Sequence, residues 1–143
     1  MNALATFLAV TEEDLARWSN RASVGIAAMR LALGAAALVA PGLAGRAWIG
    51  PGASGRDRAV ALRALGGRDI ALGAGALLSA NAPGTELRRW VTLGATSDLV
   101  DTLATGVGFG ALPRRRRWLV LAACAGAATG GYLAAAGLRN DTP

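Results

Sequence analysis

The sequence contains no lysine and no histidine, and all 15 of its basic residues are arginine. Schiff-base chemistry, imidazole acid–base catalysis and histidine-ligated metals are therefore excluded together. Cysteine occurs once, as Cys124, inside the most apolar stretch of the chain. An intrachain disulfide or cysteine metal cluster is ruled out, and the thiol is expected to be buried and inert. The N-terminus makes a poor secretory leader: the apolar start Ala3–Val10 has no basic residues before it and runs into Glu12, Glu13 and Asp14.

What the chain does have is apolar length. Of its 143 residues, 53% are apolar and its mean hydropathy is positive, which is high for a soluble protein of one domain. Trp118–Leu138 runs 21 residues without a charge. At about 1.5 Å per residue, such a helix crosses a hydrocarbon core of about 30 Å. Turn signals divide the rest. The reading is an all-α integral membrane four-helix bundle, a single transmembrane domain over 1–143 with spans at about 22–40, 59–80, 87–112 and 118–138. Pro41-Gly42, Asn81-Ala82-Pro83-Gly84 and Pro113 are the stops. Residues 41–58 read as the first loop. Thr11 before Glu12, Glu13 and Asp14 predicts a helix start, with the hydroxyl capping free N–H groups and the carboxylates at the positive end of the dipole. Leu4, Phe7, Leu8, Thr11, Leu15 and Trp18 recur at helical spacing and predict a lead that lies along the membrane surface.

The net charge of +6 does not point to nucleic acid, because the run Arg114–Arg117 abuts a hydrophobic segment and is a topology signal. The first and third loops carry seven arginines, against five on the N-terminal flank, second loop and tail. That bias predicts a multi-pass protein of the cell membrane with both termini outside and the arginine run in the cytoplasm. The run also suits anionic lipid, each arginine contributing about 1 kcal/mol near such a surface. Small residues recur every four positions, as Gly67, Ala71, Gly75 and Ser79, as Thr102, Gly106 and Gly110, and as Ala122, Gly126, Gly130 and Ala134. These ridges predict close helix packing within the chain, with a homodimer through the Gly126/Gly130 face as the alternative.

The most informative feature is where the remaining charges fall. Arg30 lies about eight residues into the first span, Arg68 and Asp69 about ten into the second, and Asp98 and Asp101 about eleven to fourteen into the third. All five share the depth of the bilayer centre. A central Asp or Arg costs roughly 2.5–3.5 kcal/mol on the insertion scale, whereas a central Leu or Val returns only about 0.3–0.6. The second and third spans must therefore insert together, with Arg30 and Arg68 against Asp69, Asp98 and Asp101. Arg63, nearer its helix end, is able to snorkel. Within the third span Gly94, Asp98, Asp101, Thr102 and Thr105 share a face.

Charges this expensive are by default a functional site; the plainer alternative is an ionic network that specifies helix assembly. Asp98 and Asp101, with Asp69, are the candidate acid–base residues. Arg30, Arg68, Arg63 and Thr102 are the candidate ligand-binding residues. Asp98-x-x-Asp101 as a Mg²⁺–diphosphate site is disfavoured because no second acidic motif accompanies it, so no metal and no cofactor is expected.

A first helix with Arg and Gly, a Pro-terminated end, and Arg63-Ala-Leu-Gly-Gly-Arg-Asp-Ile-Ala-Leu-Gly73 with its spaced glycines together resemble the DoxX-like group of small four-helix bacterial membrane proteins. The arginine-only, Ala- and Gly-rich composition is similar to that of high-GC actinobacterial proteins. The resemblance implies a role as a subunit of a membrane oxidoreductase for some members. Ser97-Asp98-Leu-Val-Asp101 lies outside the resemblance. The expected function is binding of a lipophilic ligand, or service as an accessory subunit beside a membrane protein partner. The alternatives are a membrane enzyme acting on a quinone, isoprenoid or sterol-like substrate through an Asp acid–base, and proton or ion transport by an oligomer.

Overall fold

The computed structural model describes residues 3–50, 55–82 and 84–138, with side chains from Glu12 onward. The chain is all-α: α1 (Ala3–Val39), α2 (Pro41–Trp48), α3 (Arg56–Leu78), α4 (Gly84–Val107), a short 3-10 turn at Phe109–Ala111, and α5 (Arg117–Ala136), with no strand among the described residues. At about 1.5 Å per residue, the 23 residues of α3, 24 of α4 and 20 of α5 give helices of about 30–36 Å.

Two helices, over Glu12–Val39 and Arg117–Ala136, are long and apolar enough to cross a membrane. Helices α3 and α4 match that length, but each carries a pair of central charges and charged residues near its start, which holds down its average hydropathy.

Three boundaries differ from the sequence expectation. Helix α1 begins at Ala3 and continues unbroken through Thr11, so Thr11 is an interior residue and not a cap, and the lead is not a separate surface helix. Ala3–Val10 contains no helix breaker, and its helical propensity overrides the local capping signal. The side chains of Leu4, Phe7, Leu8 and Thr11 lie outside the described residues; Leu15 and Trp18 are exposed. Residues 41–48, read as loop, form α2. Pro41 that ends α1 also opens α2, because a proline lacks the N–H that a first-turn residue does not need. The third span was expected to reach Leu112, but α4 ends at Val107 and the turn at Phe109–Ala111 takes over before Pro113. Of the stop expected after the second span, Asn81 and Ala82 follow the end of α3, and Pro83 lies outside the described residues.

The long helices pack antiparallel to their neighbours in sequence. Gly66 of α3 abuts the Gly34 backbone of α1, and Gly73 abuts Ala27 and Leu31. Gly75 meets the ring of Trp90 on α4, and Gly131 of α5 meets Ala95 of α4. Thr96 and Tyr132 share a 3.0 Å hydrogen bond across α4 and α5. A Cβ on Gly66 would lie 2.6 Å from the Gly34 carbonyl oxygen, and one on Gly73 would lie 2.7 Å from that of Ala27. The absence of side chains at these positions is what lets the backbones approach.

The packing ridges follow those read in the sequence only in part: Gly75 and Ala134 are packed as expected, but other contacts fall on neighbouring residues. Gly66 and Gly73, not Gly67, line the α1–α3 contact, and Gly131, not Gly130, lines α4–α5; a Cβ at Gly67, Gly106, Gly110, Gly126 or Gly130 would meet nothing within 4 Å. The Gly126/Gly130 face is thus not used for packing within the chain.

The interior is built from small residues. Ser19, Ser23, Ala27, Ala95 and Ala134 are almost wholly buried, and Leu87 is the only large residue buried to the same degree among those described. Large aliphatic side chains point outward instead: Val107 is 92% exposed, Leu78 85% and Val39 81%, with Leu33, Leu103, Leu119 and Leu133 also exposed.

At one end, Gly50 in a left-handed conformation (φ +117°) lets the chain turn after α2 beside Pro113 and Arg116. Arg116 donates to the Ala47 carbonyl, joining the two connections. The Arg117 guanidinium lies 5.0 Å from the Phe109 ring centroid, and Phe109 packs edge-on against Trp118 at 4.7 Å.

Candidate functional site

The five central charges come together in one alternating chain. Arg30 on α1 reaches across the bundle: its Nη1 donates to Asp69 Oδ1 at 2.9 Å, and its Nη2 donates to Asp98 and, at 3.1 Å, to the Gly94 carbonyl. Arg68 grips Asp101 with both arms of its guanidinium, Nη1 to Oδ1 at 3.1 Å and Nη2 to Oδ2 at 2.8 Å. Its Nη2 also donates to Asp69 Oδ1 at 3.3 Å. The order is Asp98–Arg30–Asp69–Arg68–Asp101, with a carboxylate at each end and Asp69 bridging both arginines.

Local sequence explains the geometry. Arg30 lies on α1 between Ala27 and Gly34, the two points where α3 comes closest, so its level is that of Asp69. Its guanidinium reaches the α4 backbone because residue 94 is glycine: a Cβ there would stand 3.3 Å from Arg30 Nε. Asp98 and Asp101 are three apart on α4 and face the same way. Forked arginine–carboxylate pairing is the strongest arrangement these groups can adopt.

The two ends of the chain differ in exposure. Side-chain exposure is 10% for Arg30 and 13% for Asp98, against 32% for both Arg68 and Asp101. The network is buried at its Asp98 end and open at its Asp101 end.

Two residues expected at the site are elsewhere engaged. Arg63 is exposed and donates from Nε to the Leu38 carbonyl at 3.3 Å, near the end of α1. Thr102 spends its hydroxyl on the Asp98 carbonyl of its own helix at 2.7 Å, the usual arrangement for a threonine in a helix interior.

Sequence reasoning did not foresee Ser19 and Ser23, fully buried, whose hydroxyls have no hydrogen-bond partner among the described residues. Their spacing of four with Ala27 was the available signal. It marks the buried stripe of α1.

Ser23, Ala27, Arg30, Trp90, Gly94 and Asp98 line a cavity of about 10 Å³. That is at the lower limit for one water molecule, whose minimum is about 10–15 Å³. That cavity, at the Arg30–Asp98 end of the network, is too small for a lipophilic molecule. No group of three or more His, Cys, Asp or Glu placed to hold a metal ion occurs among the described residues.

Outside the centre, charge is sorted by end. Arg46, Arg56, Arg58, Arg63 and Arg114–Arg117 lie with Asp57 at the α2 end, whereas Glu12, Glu13, Asp14 and Glu86 offset Arg17, Arg21, Arg88 and Arg89 at the other. Arg17 pairs with Asp14 at 2.6 Å and with Glu13 at 3.5 Å; both pairs are exposed, where solvent screening leaves them little weight.

Comparison with protein-family models, with curated proteins and with solved structures finds no match to this chain.

Proposed function

We propose that this chain is a multi-pass membrane protein in which α1, α3, α4 and α5 all cross the bilayer, and that it serves as an accessory subunit of a membrane complex. The observation that carries the membrane reading is the skewed distribution of side chains: small alanine, serine and glycine residues make up most of the interior, and most of the large aliphatic side chains are exposed. In water, leaving a large aliphatic side chain exposed forgoes about 1.5–3 kcal/mol, and this chain does so on every long helix. In lipid the outer surface loses nothing, and close approach of small residues holds the helices together.

The polar centre fits the same setting. Two spans too charged to insert alone pair their charges with each other and with Arg30 once they pack, which makes the network an assembly device. The eight arginines grouped at the α2 end put that end in the cytoplasm.

The accessory reading is preferred over a ligand-binding or catalytic one on a single ground. The carboxylates are paired with the guanidiniums, and the cavity beside Asp98 and Arg30 is water-sized. An acid–base Asp98 acting on a quinone or isoprenoid needs room for the reacting atom within hydrogen-bond reach. The DoxX-like resemblance implies the same accessory role.

Native mass spectrometry after gentle extraction from the protein's own membranes tests this. The expected result is a stoichiometric partner chain with no small molecule retained. A tightly held lipophilic compound and no partner would reverse the preference.

A further inference from the structure

We infer that the groove between α3 and α4 receives a transmembrane helix of the partner, and that this helix brings one basic residue to Asp101. The inference rests on the accessory-subunit reading and gives the partner its chemistry. The network holds three carboxylates against two guanidiniums, so one negative charge is left over at a depth where an unmatched charge is expensive. The surplus is open at one end only: Asp98 is 13% exposed, Asp101 32%.

The surroundings of that end suit a helix. Ala64, Gly67 and Ala71 follow at helical spacing on the flank of α3 next to Arg68, all exposed, and a Cβ on Gly67 would meet nothing within 4 Å. On α4, exposed Ala104 and half-buried Ser97 flank Asp101 in the same way. Small walls let a helix backbone come close, and a charged floor selects what it carries. A second copy of this chain is a poor occupant, because it would bring its own surplus carboxylate to the same place.

The test uses the full-length chain in its native membranes, with a photoreactive amino acid at Ala71 in the groove or at Leu133 on the exposed face of α5. Light should join a partner chain from Ala71 and not from Leu133. The cross-linked peptide should come from an apolar segment that contains an Arg or Lys. Asp101→Asn leaves Asp98–Arg30–Asp69–Arg68, an alternating chain without surplus charge, so the fold should survive while co-extracted partner falls by about 30-fold or more; Asp101→Glu should retain it. Unchanged resistance to SDS checks the fold of both variants.

A partner retained in full by Asp101→Asn, a cross-linked peptide without a basic residue, or an adduct with a second copy or with lipid alone would each overturn the inference. In those cases a partner that still leaves with the wild-type chain keeps the accessory reading standing. If the wild-type chain brings out no partner at all, it is the accessory reading that fails.

Discussion

Replacing Arg30 with methionine removes the charge that ties α1 to both α3 and α4 while keeping most of the side-chain volume. Among the described residues Arg30 is the only cation paired with Asp98, whereas Asp69 keeps Arg68 at 3.3 Å. Stripping one partner from a buried pair costs about 3–5 kcal/mol; with Asp69 still paired, the lower figure applies. A loss of about 3 kcal/mol raises the unfolded fraction more than a hundredfold, at about 1.4 kcal/mol per decade. The assay is SDS-driven unfolding in mixed micelles followed by tryptophan fluorescence, since Trp90 lines the same cavity as Arg30. Adding Asp98→Asn to Arg30→Met removes the stranded carboxylate and should recover at least half of the loss. A single variant that loses under about 1 kcal/mol, or a double variant no better than the single, would show that the ion network does not hold the bundle together.

Four further outcomes are expected. Gly66→Val or Gly73→Val forces backbone apart where a Cβ has less than 3 Å of clearance, and should destabilise by about 1–3 kcal/mol. Gly67→Ala and Gly126→Ala meet open space and should be neutral or stabilising by up to about 1 kcal/mol through helix propensity; circular dichroism in an SDS titration separates the two sets. Tyr132→Phe breaks the hydroxyl bond to Thr96 and should cost about 0.6 kcal/mol in the same titration, the average for such bonds in a bilayer. Arg63→Ala removes an exposed side chain with a single 3.3 Å bond, and a change above about 1 kcal/mol would contradict its place outside the network.

Much of this site was legible because charge in an apolar run is a local signal. Arg30, Arg68, Asp69, Asp98 and Asp101 stood out one by one, and their shared depth followed from distances to the nearest turn. The pairing did not follow. Asp69 bridging two arginines and Arg30 reaching the Gly94 carbonyl depend on helix rotation, which spacing within one helix leaves open. The packing ridges were right at Gly75 and Ala134 and misplaced at Gly67 and Gly130 for the same reason. Where Gly and Ala occupy several faces of a helix, periodicity cannot choose among them, and the buried face is the one that lets a neighbour's backbone in. Helix α2 was hidden because Pro41 reads equally as a stop and as a first-turn residue. The start of α1 was misplaced because a capping pattern at Thr11 competes with eight residues that favour helix before it.

The account depends above all on four crossings of the bilayer, which cysteine labelling of intact cells tests directly. In a Cys124→Ala background, Asn81→Cys lies after α3, Ala111→Cys lies at the arginine-rich end, and Leu103→Cys lies on an exposed part of α4 that the proposal sets in lipid. A membrane-impermeant maleimide should label Asn81→Cys from outside and Ala111→Cys only after permeabilisation, while Leu103→Cys stays unlabelled in both. Labelling of Asn81→Cys and Ala111→Cys from the same side, or of all three in a protein that leaves the membrane without detergent, would contradict it.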